Sequence, residues 1–242
     1  MLRYIINFFY PPRCSACIRR LPLDSSRHVC GECLARIEPL REPLCTVCGV
    51  PFGAELPDGN QWCLACTQSP PHFSRARAFT GYRSLDEEAQ PVSSMIRRHK
   101  YGRDQTLRRA LAECLGDRIP FAGEDYDVVI PVPLHPARLR WRGFNQAALL
   151  GDAVAGRLGR PIEVSTLVRV VPTPPQTSQD RRQRRLNVRA AFKVKRPQLV
   201  ANRRVLLVDD VMTTGATADE CARTLLRAGA RRVDVFTLVR VV

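Results

Sequence analysis

The sequence predicts an α/β domain with a mainly parallel sheet flanked by helices, preceded by a small cysteine-rich domain. Apolar runs of strand length alternate with amphipathic helical segments over most of the chain, and this alternation is typical of a parallel sheet. Eight of the ten cysteines lie in four C-x-x-C pairs before residue 67. We therefore predict two units, residues 1–74 and residues 75–242, which meet at the proline-containing linker 67–74.

The four C-x-x-C pairs have the spacing of structural zinc sites in which one ion binds four cysteines. They are Cys14/Cys17, Cys30/Cys33, Cys45/Cys48 and Cys63/Cys66. Gly31 and Gly49 are expected to let the backbone fold around the metal. Sequential pairing for two zinc ions is the default, although interleaved pairing would also satisfy the valence. Four thiolates leave no open position for water, so the metals are predicted to be structural.

The first ten residues, MLRYIINFFY, lack a small-residue cleavage site and make a poor secretion signal. We expect a short helix that packs on the body of the protein, with a weak membrane or partner contact as the alternative. Since nothing points to an oxidising compartment, disulfides explain the cysteines less well than zinc does, and we expect a cytoplasmic protein. The sequence has no apolar run long enough to predict a membrane span.

The first half of the α/β domain contains two predicted helices and two predicted strands. A strand is predicted at 77–82, and a helix at 91–100 because proline suits its first turn. A second helix is predicted at 104–115, with Asp104 as its cap. The apolar run 127–132 predicts a buried strand.

The second half continues the alternation. A helix is predicted up to about residue 158, since Ala147, Leu150 and Leu158 fall on one apolar side. Further predicted strands are 163–170, 205–209 and 233–241, with a helix that ends near residue 228 between the last two. Cys114 and Cys221 fall on apolar helical stripes, which predicts that they are buried core residues rather than nucleophiles.

The segment 171–189 contains three prolines and five arginines. A loop of this length inside a compact domain is usually functional or disordered. We interpret it as a mobile, anion-binding hood over a site, with a solvated charged surface as the alternative.

The segment 205–218, VLLVDDVMTTGATA, contains the main candidate site. The apolar run Val205 to Val208 predicts a buried parallel strand closed by Asp209 and Asp210. The segment 213–217 then opens a helix, where backbone N–H groups and the helix dipole favour an anion. Because carboxylates suit the hydroxyls of a sugar, the pattern predicts a sugar-phosphate site.

A receiver domain, an NTPase and an ordinary strand-turn-helix suit this segment less well. A response-regulator receiver domain needs about a hundred residues after its acid pair, and 32 follow Asp210. An NTPase needs a Gly-x-x-x-x-Gly-Lys-Ser/Thr loop, and no lysine of this chain follows a glycine. An ordinary strand-turn-helix would not select two acids followed by Thr-Gly-x-Thr.

The formal net charge of +15 is expected to attract polyanions such as nucleic acid. However, 35 of the 38 basic residues are arginine, and genome composition also accounts for this ratio. Arginine is in addition the residue that binds the phosphates of a small substrate. Charge alone therefore leaves both kinds of partner open.

Taken together, these motifs resemble the ComF family (ComFC/GntX-like proteins) over nearly the whole chain. The matching segments are 11–14 (PPRC), 100–102 (KYG), 131–133 (PVP), 142–146 (RGFNQ), Arg185 with Asn187, and 205–218. That family joins a double zinc ribbon to a type I phosphoribosyltransferase domain, so the resemblance implies this fold. Segment 83–90 departs from the pattern, since it is longer and more acidic than expected.

The resemblance implies a role for each candidate residue in binding phosphoribosyl pyrophosphate (PRPP) with Mg²⁺. Asp209 and Asp210 would hold the ribose hydroxyls. The 5′-phosphate would be cradled by Thr213, Thr214, Gly215, Ala216 and Thr217. The backbone of the pyrophosphate loop would come from Val132, Pro133 and Leu134. The arginines that would neutralise the diphosphate are Arg138, Arg142 and Arg185, and the catalytic set would be Asp209, Asp210, Arg142 and Arg185.

Two functions follow from the resemblance, and a third remains open. The first is Mg²⁺-dependent phosphoribosyl transfer to an unknown acceptor, linked to DNA uptake. The second is a non-catalytic PRPP- or nucleotide-binding adaptor that binds single-stranded DNA, with DNA-uptake or helicase proteins as partners. The third is a nucleic-acid regulator that acts through the zinc ribbons alone.

Overall fold

The structure is a computed structural model, and it describes residues 2–52, 61–82, 91–102, 107–116, 118–172 and 188–242. The strands in this part of the chain are β1 (Arg75–Tyr82), β2 (Val128–Pro131), β3 (Leu167–Arg169), β4 (Phe192–Val194), β5 (Arg204–Met212) and β6 (Arg232–Val241). The helices are α1 (Leu2–Phe9), α2 (Gly31–Ala35), α3 (Leu64–Gln68), α4 (Pro91–Gly102), α5 (Leu107–Leu115), α6 (Pro136–Arg142), α7 (Gln146–Leu158) and α8 (Ala216–Arg227).

The centre of the carboxyl-terminal domain is a parallel sheet with the strand order β1-β6-β5-β2. β3 and β4 form a separate antiparallel pair. In β5 the side chains alternate between two cores: Leu206 and Val208 pack with α4, α5 and α7, whereas Val205 and Leu207 pack with α8 and the β3–β4 pair. The predicted α/β fold with a parallel sheet is confirmed.

Most predicted elements are present, and two predictions about their ends are wrong. The acid pair does not close β5, because β5 continues to Met212 through its pairing with the long strand β6. The strand predicted at 163–170 is shortened to β3, since it pairs with β4 over three residues. The predicted first helix forms as α1: Phe8 and Phe9 on it are 72% and 71% exposed, while Asn7 Nδ2 donates to the Leu23 carbonyl of the first ribbon at 2.5 Å.

The cysteine-rich region consists of two ribbons with the same backbone hydrogen bonds. In the first ribbon, Cys14 N–H donates to the Arg19 carbonyl (2.9 Å), and in the second, Cys45 N–H donates to the Val50 carbonyl (2.8 Å). The N–H groups that follow the first cysteine of each ribbon also match, with distances of 2.8 Å and 2.9 Å to the carbonyls of His28 and Gln61. The region is therefore a structural repeat.

Both ribbons cover β1, the edge strand of the sheet. Leu40 N–H donates to the Phe79 carbonyl (3.3 Å), and Ala76 N–H donates to the Val47 carbonyl (2.6 Å). The Thr80 hydroxyl donates to the Glu38 carbonyl at 2.7 Å. Because an uncovered edge strand is a site of unwanted pairing, the ribbons complete the fold of the domain that follows them.

The tight turn after each first C-x-x-C pair needs a left-handed residue, which is Ile18 (φ 62°) in the first ribbon and Gly49 (φ 67°) in the second. The prediction for Gly49 is thus confirmed. The prediction for Gly31 is wrong, because Gly31 is the first residue of α2 and is not among the positive-φ residues of the described chain. A β-branched residue with positive φ is strained, so the first ribbon is the more strained of the two.

Replacement of Gly49 by alanine is expected to destabilise the protein more than replacement of Gly159, which has a similar φ of 63°. Both changes place a Cβ on a left-handed residue, at a cost of roughly 1–2 kcal/mol. The added Cβ at Gly49 would also lie 2.6 Å from the Ala76 carbonyl oxygen, whereas at Gly159 nothing lies within 4 Å. Urea unfolding of the zinc-loaded variants measures the difference, and equal losses would contradict the close packing of the second ribbon on β1.

Candidate functional sites

The eight paired cysteines form two four-sulfur groups, Cys14/Cys17/Cys30/Cys33 and Cys45/Cys48/Cys63/Cys66. In each group the sulfur atoms all lie within 4.8 Å of one another. The Sγ atoms of Cys17 and Cys30 are 3.8 Å apart, and those of Cys48 and Cys63 are 3.6 Å apart. Tetrahedral zinc with Zn–S bonds of about 2.3 Å requires S···S distances of about 3.8 Å. The residues fit structural zinc, and the sequential pairing is confirmed.

Backbone N–H groups point at the first sulfur of each group. Cys30 N–H donates to Cys14 Sγ at 3.3 Å, and Cys63 N–H donates to Cys45 Sγ at 3.3 Å. Burial alone would raise the pKa of Cys14 and of Cys45, but the backbone donors outweigh it and lower each pKa to about 7. Each ribbon therefore stabilises a thiolate, which is the form that binds zinc.

The two remaining cysteines are core residues, as predicted. Cys114 and Cys221 are fully buried. Burial raises the pKa of Cys114 to about 12 and the pKa of Cys221 well above its usual value. Thiols with raised pKa values are inert, so neither residue is a nucleophile.

The sheet-edge site arises because β5 is longer than β2. The two strands pair from Val128/Val205 to Pro131/Val208, and Val132 N–H still donates to the Val208 carbonyl at 2.8 Å. Beyond that point β5 pairs with β6, where Asp209 lies opposite Thr237. The acid pair therefore lies where β2 has ended and its side of β5 opens, as the rule for ligand sites in parallel sheets requires.

Both carboxylates are half-buried and are oriented by the backbone. Asp209 Oδ1 accepts the N–H of Asp210 at 2.9 Å, and Asp210 Oδ1 accepts the N–H of Val211 at 2.8 Å. Such bonds limit rotation of the side chain. The strand thus holds two carboxyl groups at one fixed place on the sheet edge.

The segment 213–217, which we call the phosphate turn after the role that the family resemblance implies, leads from β5 into α8. Gly215 (φ 81°) is the residue before the helix, and its positive φ turns the chain without the cost of a Cβ. Ala216 N–H has a long contact of 3.4 Å with the Thr214 hydroxyl. The N–H groups at the start of α8 lack intrahelical acceptors, so together with the helix dipole they favour an anion.

The loop 132–134 lies beside this site and is held by Asn145, for which the sequence alone predicted no separate role. The Asn145 side chain donates from Nδ2 to the Val132 carbonyl (3.0 Å) and accepts the Ala147 N–H at Oδ1 (3.1 Å). It therefore caps α7 and fixes the loop with the same amide.

Arg138 and Arg142 lie on α6, which follows the loop, and Arg142 Nη1 donates to Gln146 Oε1 at 3.2 Å.

Arg169 on β3 is a second residue that sequence reasoning missed. It is 9% exposed and lies over the Phe192 ring at 5.4 Å. Burial is the main cause that lowers the pKa of Arg169. The charges of Arg138 and Asp209 also affect this pKa, so Arg169 lies near both residues. Its place within an apolar strand gave no signal of this role.

The linker also reaches α8 and is firmly attached. His72 donates to Asp219 Oδ1 from its backbone N (2.6 Å), and its Nδ1 lies 2.9 Å from the same oxygen. Phe73 is 3% exposed, and Ser74 N–H donates to the Val233 carbonyl at 2.9 Å. The linker therefore contacts the first turn of the helix that follows the phosphate turn.

A cleft of about 230 Å³ lies next to the phosphate turn. Its lining is Val188, Arg189, Ala216, Asp219, Glu220 and Arg223. Arg185 and most of the predicted hood, residues 173–187, lie outside the described residues, as do segment 83–90 and Asp104. The structure describes the backbone of 100–102 within α4 and does not describe those side chains.

Comparison with protein families finds two matches in this chain. Residues 5–67 match the double zinc ribbon domain, and residues 145–241 match the phosphoribosyl transferase domain. The fold is therefore a double zinc ribbon followed by a type I phosphoribosyltransferase domain.

Several named proteins are similar over nearly the full length. The chain is 35% identical over 237 residues to the DNA utilization protein YhgH of Salmonella typhi, which covers 95% of this chain and 97% of that protein. It is 30% identical over 242 residues to competence protein F of Haemophilus influenzae (98% and 100%). It is 27% identical over 213 residues to competence protein ComFC of Streptococcus pneumoniae (88% and 87%).

Solved structures are similar over part of the chain. Glutamine phosphoribosylpyrophosphate amidotransferase from B. subtilis aligns over 54% of this chain and 25% of its own, with 23% identity and a TM-score of 0.36. Adenine phosphoribosyltransferase from Thermoanaerobacter pseudethanolicus aligns over 57% of this chain and 82% of its own, with 15% identity and a TM-score of 0.35.

Among the described residues, every helix is too short or too polar to cross a bilayer.

Metal analysis is expected to find two zinc ions in each chain, and Cys33→Ser is expected to lower this to one. The same loss is expected for Cys17→Ser, because both residues ligate the first ion. Cys114→Ser is the control and should keep two, since Cys114 lies outside both groups. Loss of both ions from a single cysteine variant that remains folded would contradict two separate sites.

The two hydrogen bonds of Asn145 can be separated by substitution. Asn145→Ala removes the helix cap, worth about 1 kcal/mol, and also the bond to the loop, worth about 0.5–1.5 kcal/mol. Asn145→Asp keeps an acceptor for the cap and loses the donor to Val132. Hydrogen exchange should therefore rise in the loop 132–134 in both variants and at the start of α7 in Asn145→Ala alone. Unchanged exchange in the loop would contradict its dependence on Asn145.

Proposed function

We propose that the sheet-edge site binds PRPP with Mg²⁺ and transfers the phosphoribosyl group of PRPP to a nucleophilic acceptor. The chain belongs to the ComF family. The observation that carries the proposal is the position of Asp209 and Asp210. They lie beyond the last β2–β5 pair and directly before an anion-binding helix start. The two domain matches support this function, because the chain joins a double zinc ribbon to a phosphoribosyl transferase domain, as the ComF family does.

The parts of PRPP correspond to three adjacent features of the site. Asp209 and Asp210 would accept hydrogen bonds from the ribose 2′ and 3′ hydroxyls. The phosphate turn would bind the 5′-phosphate through backbone N–H groups and hydroxyls. The loop 132–134 would offer its backbone to the diphosphate, and its attachment through Asn145 would keep that backbone preorganised.

The arginines beside the loop would neutralise the leaving diphosphate. Arg138 and Arg142 come from α6, and the buried Arg169 would add a positive charge near Asp209. In the transfer, the bond from C1′ to the pyrophosphate oxygen breaks and a bond from C1′ to the acceptor forms. Positive charge held near the departing oxygen lowers the energy of this step.

Mg²⁺ would supply charge neutralisation to the diphosphate when it is bound, mostly through water ligands. The half-buried carboxylates of Asp209 and Asp210 fit a hard cation, since oxygen is the ligand that Mg²⁺ prefers. Arg185, which lies outside the described residues, would add positive charge to the bound diphosphate. We place this activity in the cytoplasm, where zinc thiolates remain reduced.

A second function, an adaptor that binds single-stranded DNA, is favoured by one surface. On α6, Trp141 is 64% exposed and Arg140 beside it is exposed. Single-stranded nucleic acid binds to basic surfaces with aromatic platforms, and the net charge of +15 agrees with such binding. The relatives named for competence and DNA utilization make DNA-uptake or helicase proteins the partners to test under this proposal.

Calorimetric titration with PRPP tests the site. The zinc-loaded protein is expected to bind PRPP in the presence of Mg²⁺, and Asp209→Asn combined with Asp210→Asn should weaken this binding at least about tenfold per lost charged hydrogen bond. Asp152→Asn, a change at an acid on α7, is the control and should bind normally. Absence of binding to folded wild-type protein would contradict the PRPP site.

Turnover and DNA binding then separate the two functions. Under the transferase proposal, pyrophosphate release requires an acceptor and is lost in Asp210→Asn, while DNA binding persists. Under the adaptor proposal, PRPP binds without turnover, and single-stranded DNA binding weakens steeply with salt and in Trp141→Ala. Unchanged DNA binding in the full-length Trp141→Ala protein would contradict a DNA-binding role for α6.

A further inference from the structure

The two zinc sites have the same backbone design but different surroundings. Cys17 and Cys48 occupy equivalent places, as the second cysteine of the first C-x-x-C pair in each ribbon. Cys17 is exposed, whereas Cys48 is 7% exposed. The sulfur that solvent reaches in the first ribbon is therefore covered in the second.

The cover of the second site is a buried arginine from β6. Arg240 is 6% exposed, and its Nη2 donates to Cys48 Sγ at 3.6 Å. Among the described residues its Nε and Nη1 atoms are buried and have no hydrogen-bond acceptor, and no acidic residue pairs with it there. A buried cation requires a compensating charge, and a zinc ion with four thiolates, of net charge about −2, provides it.

Arg77 adds to the enclosure of the second site from β1. Its Nη1 donates to the Thr46 carbonyl at 3.2 Å and to the Cys45 carbonyl at 3.4 Å. Two arginines from neighbouring strands thus hold the second ribbon against the sheet. Arg240 compensates negative charge on Cys48 Sγ and covers this sulfur atom from solvent.

The first site has a different charge environment. Its nearby arginine, Arg19, is 63% exposed in its side chain and pairs with Glu32 at 2.5 Å. One polar contact from the body to this ribbon involves a carboxylate, since Glu113 Oε2 accepts the His28 N–H at 2.7 Å. The strained Ile18 follows Cys17 directly. Exposure, strain and weaker charge compensation coincide at Cys17.

We propose that the first zinc site is a modification site for thiol oxidants such as hydrogen peroxide, that reaction begins at Cys17, and that Arg240 protects the second site. The Cys17 thiolate attacks one peroxide oxygen, so the O–O bond breaks, a sulfenic acid forms and hydroxide leaves. The Cys30 thiolate, with its sulfur 3.8 Å away, then displaces a second hydroxide and forms a disulfide. Two thiolates are oxidised, one peroxide is reduced, and zinc loses two ligands and is released.

Release of this ion would loosen the protein body. Cys14 and Cys33 of the first site lie in the same apolar core as Met95 and Leu111. Because metal binding in such sites is folding free energy, oxidation is expected to lower the thermal stability of the body while the second ribbon stays folded.

The test is stepwise oxidation of the full-length, zinc-loaded protein by hydrogen peroxide. A chromogenic chelator follows zinc release, and differential alkylation with mass spectrometry identifies the oxidised cysteines. One equivalent is expected to leave first, together with a Cys17–Cys30 disulfide. The second is expected to leave at least about tenfold more slowly, the effect of one charge-assisted hydrogen bond. Equal release rates, or oxidation of Cys48 before Cys17, would overturn the proposal.

Variants of Arg240 test the protection separately. Arg240→Met is expected to speed release of the second ion about tenfold, and Arg240→Lys, which keeps the charge, should preserve slow release. Arg20→Met removes an exposed arginine of the first ribbon and should leave the second rate unchanged. A folded Arg240→Met protein with an unchanged second rate would overturn the role of Arg240. If that variant does not fold, the order of oxidation in the wild-type protein still decides the main claim.

Discussion

The unequal pairing of β5 with its two neighbours determines where the candidate site lies. The first half of β5 is buried between β2 and β6, and its second half pairs with β6 alone. The change occurs at Val208, so the next two residues, Asp209 and Asp210, lie at an open edge while their backbone remains held. A shorter β5 would leave the acids on a loop, and a longer β2 would cover them. The site is thus a consequence of strand lengths.

The zinc ribbons belong to the same construction, because they cover β1 at the opposite edge of the sheet. Backbone bonds from both ribbons reach Ala76 and Phe79, and the linker continues to Asp219 at the start of α8. The metals therefore stabilise more than a small appended domain. The second ribbon is held by the buried Arg240 and by Arg77, and the first ribbon is more exposed at Cys17. The two similar motifs therefore have different surroundings.

Much of this could be predicted from the sequence, because the chemistry is local. The cysteine spacing, the apolar run Val205 to Val208 and the acid pair are contiguous signals, and the structure brings together the residues they name. Arg169 and Arg240 could not be predicted, since each acts on residues far away in the chain and lies in an unremarkable segment. Asn145 lies in the motif 142–146, but its bond to the Val132 carbonyl depends on how the fold places that loop. The end of β5 was misplaced for the same reason, as its length is set by pairing with β6. The positive φ of Ile18 could not be predicted, because isoleucine rarely adopts this conformation. The second ribbon has a glycine, Gly49, at the equivalent place of its turn.

A crystal structure of the zinc-loaded protein with PRPP and Mg²⁺ would decide whether the open edge of β5 is a sugar-phosphate site. We expect the ribose hydroxyls to contact Asp209 and Asp210, the 5′-phosphate to contact the phosphate turn, and the diphosphate to lie along the loop 132–134 near Arg169. Ligand bound elsewhere, with the open edge of β5 occupied by solvent or by the chain itself, would contradict this assignment.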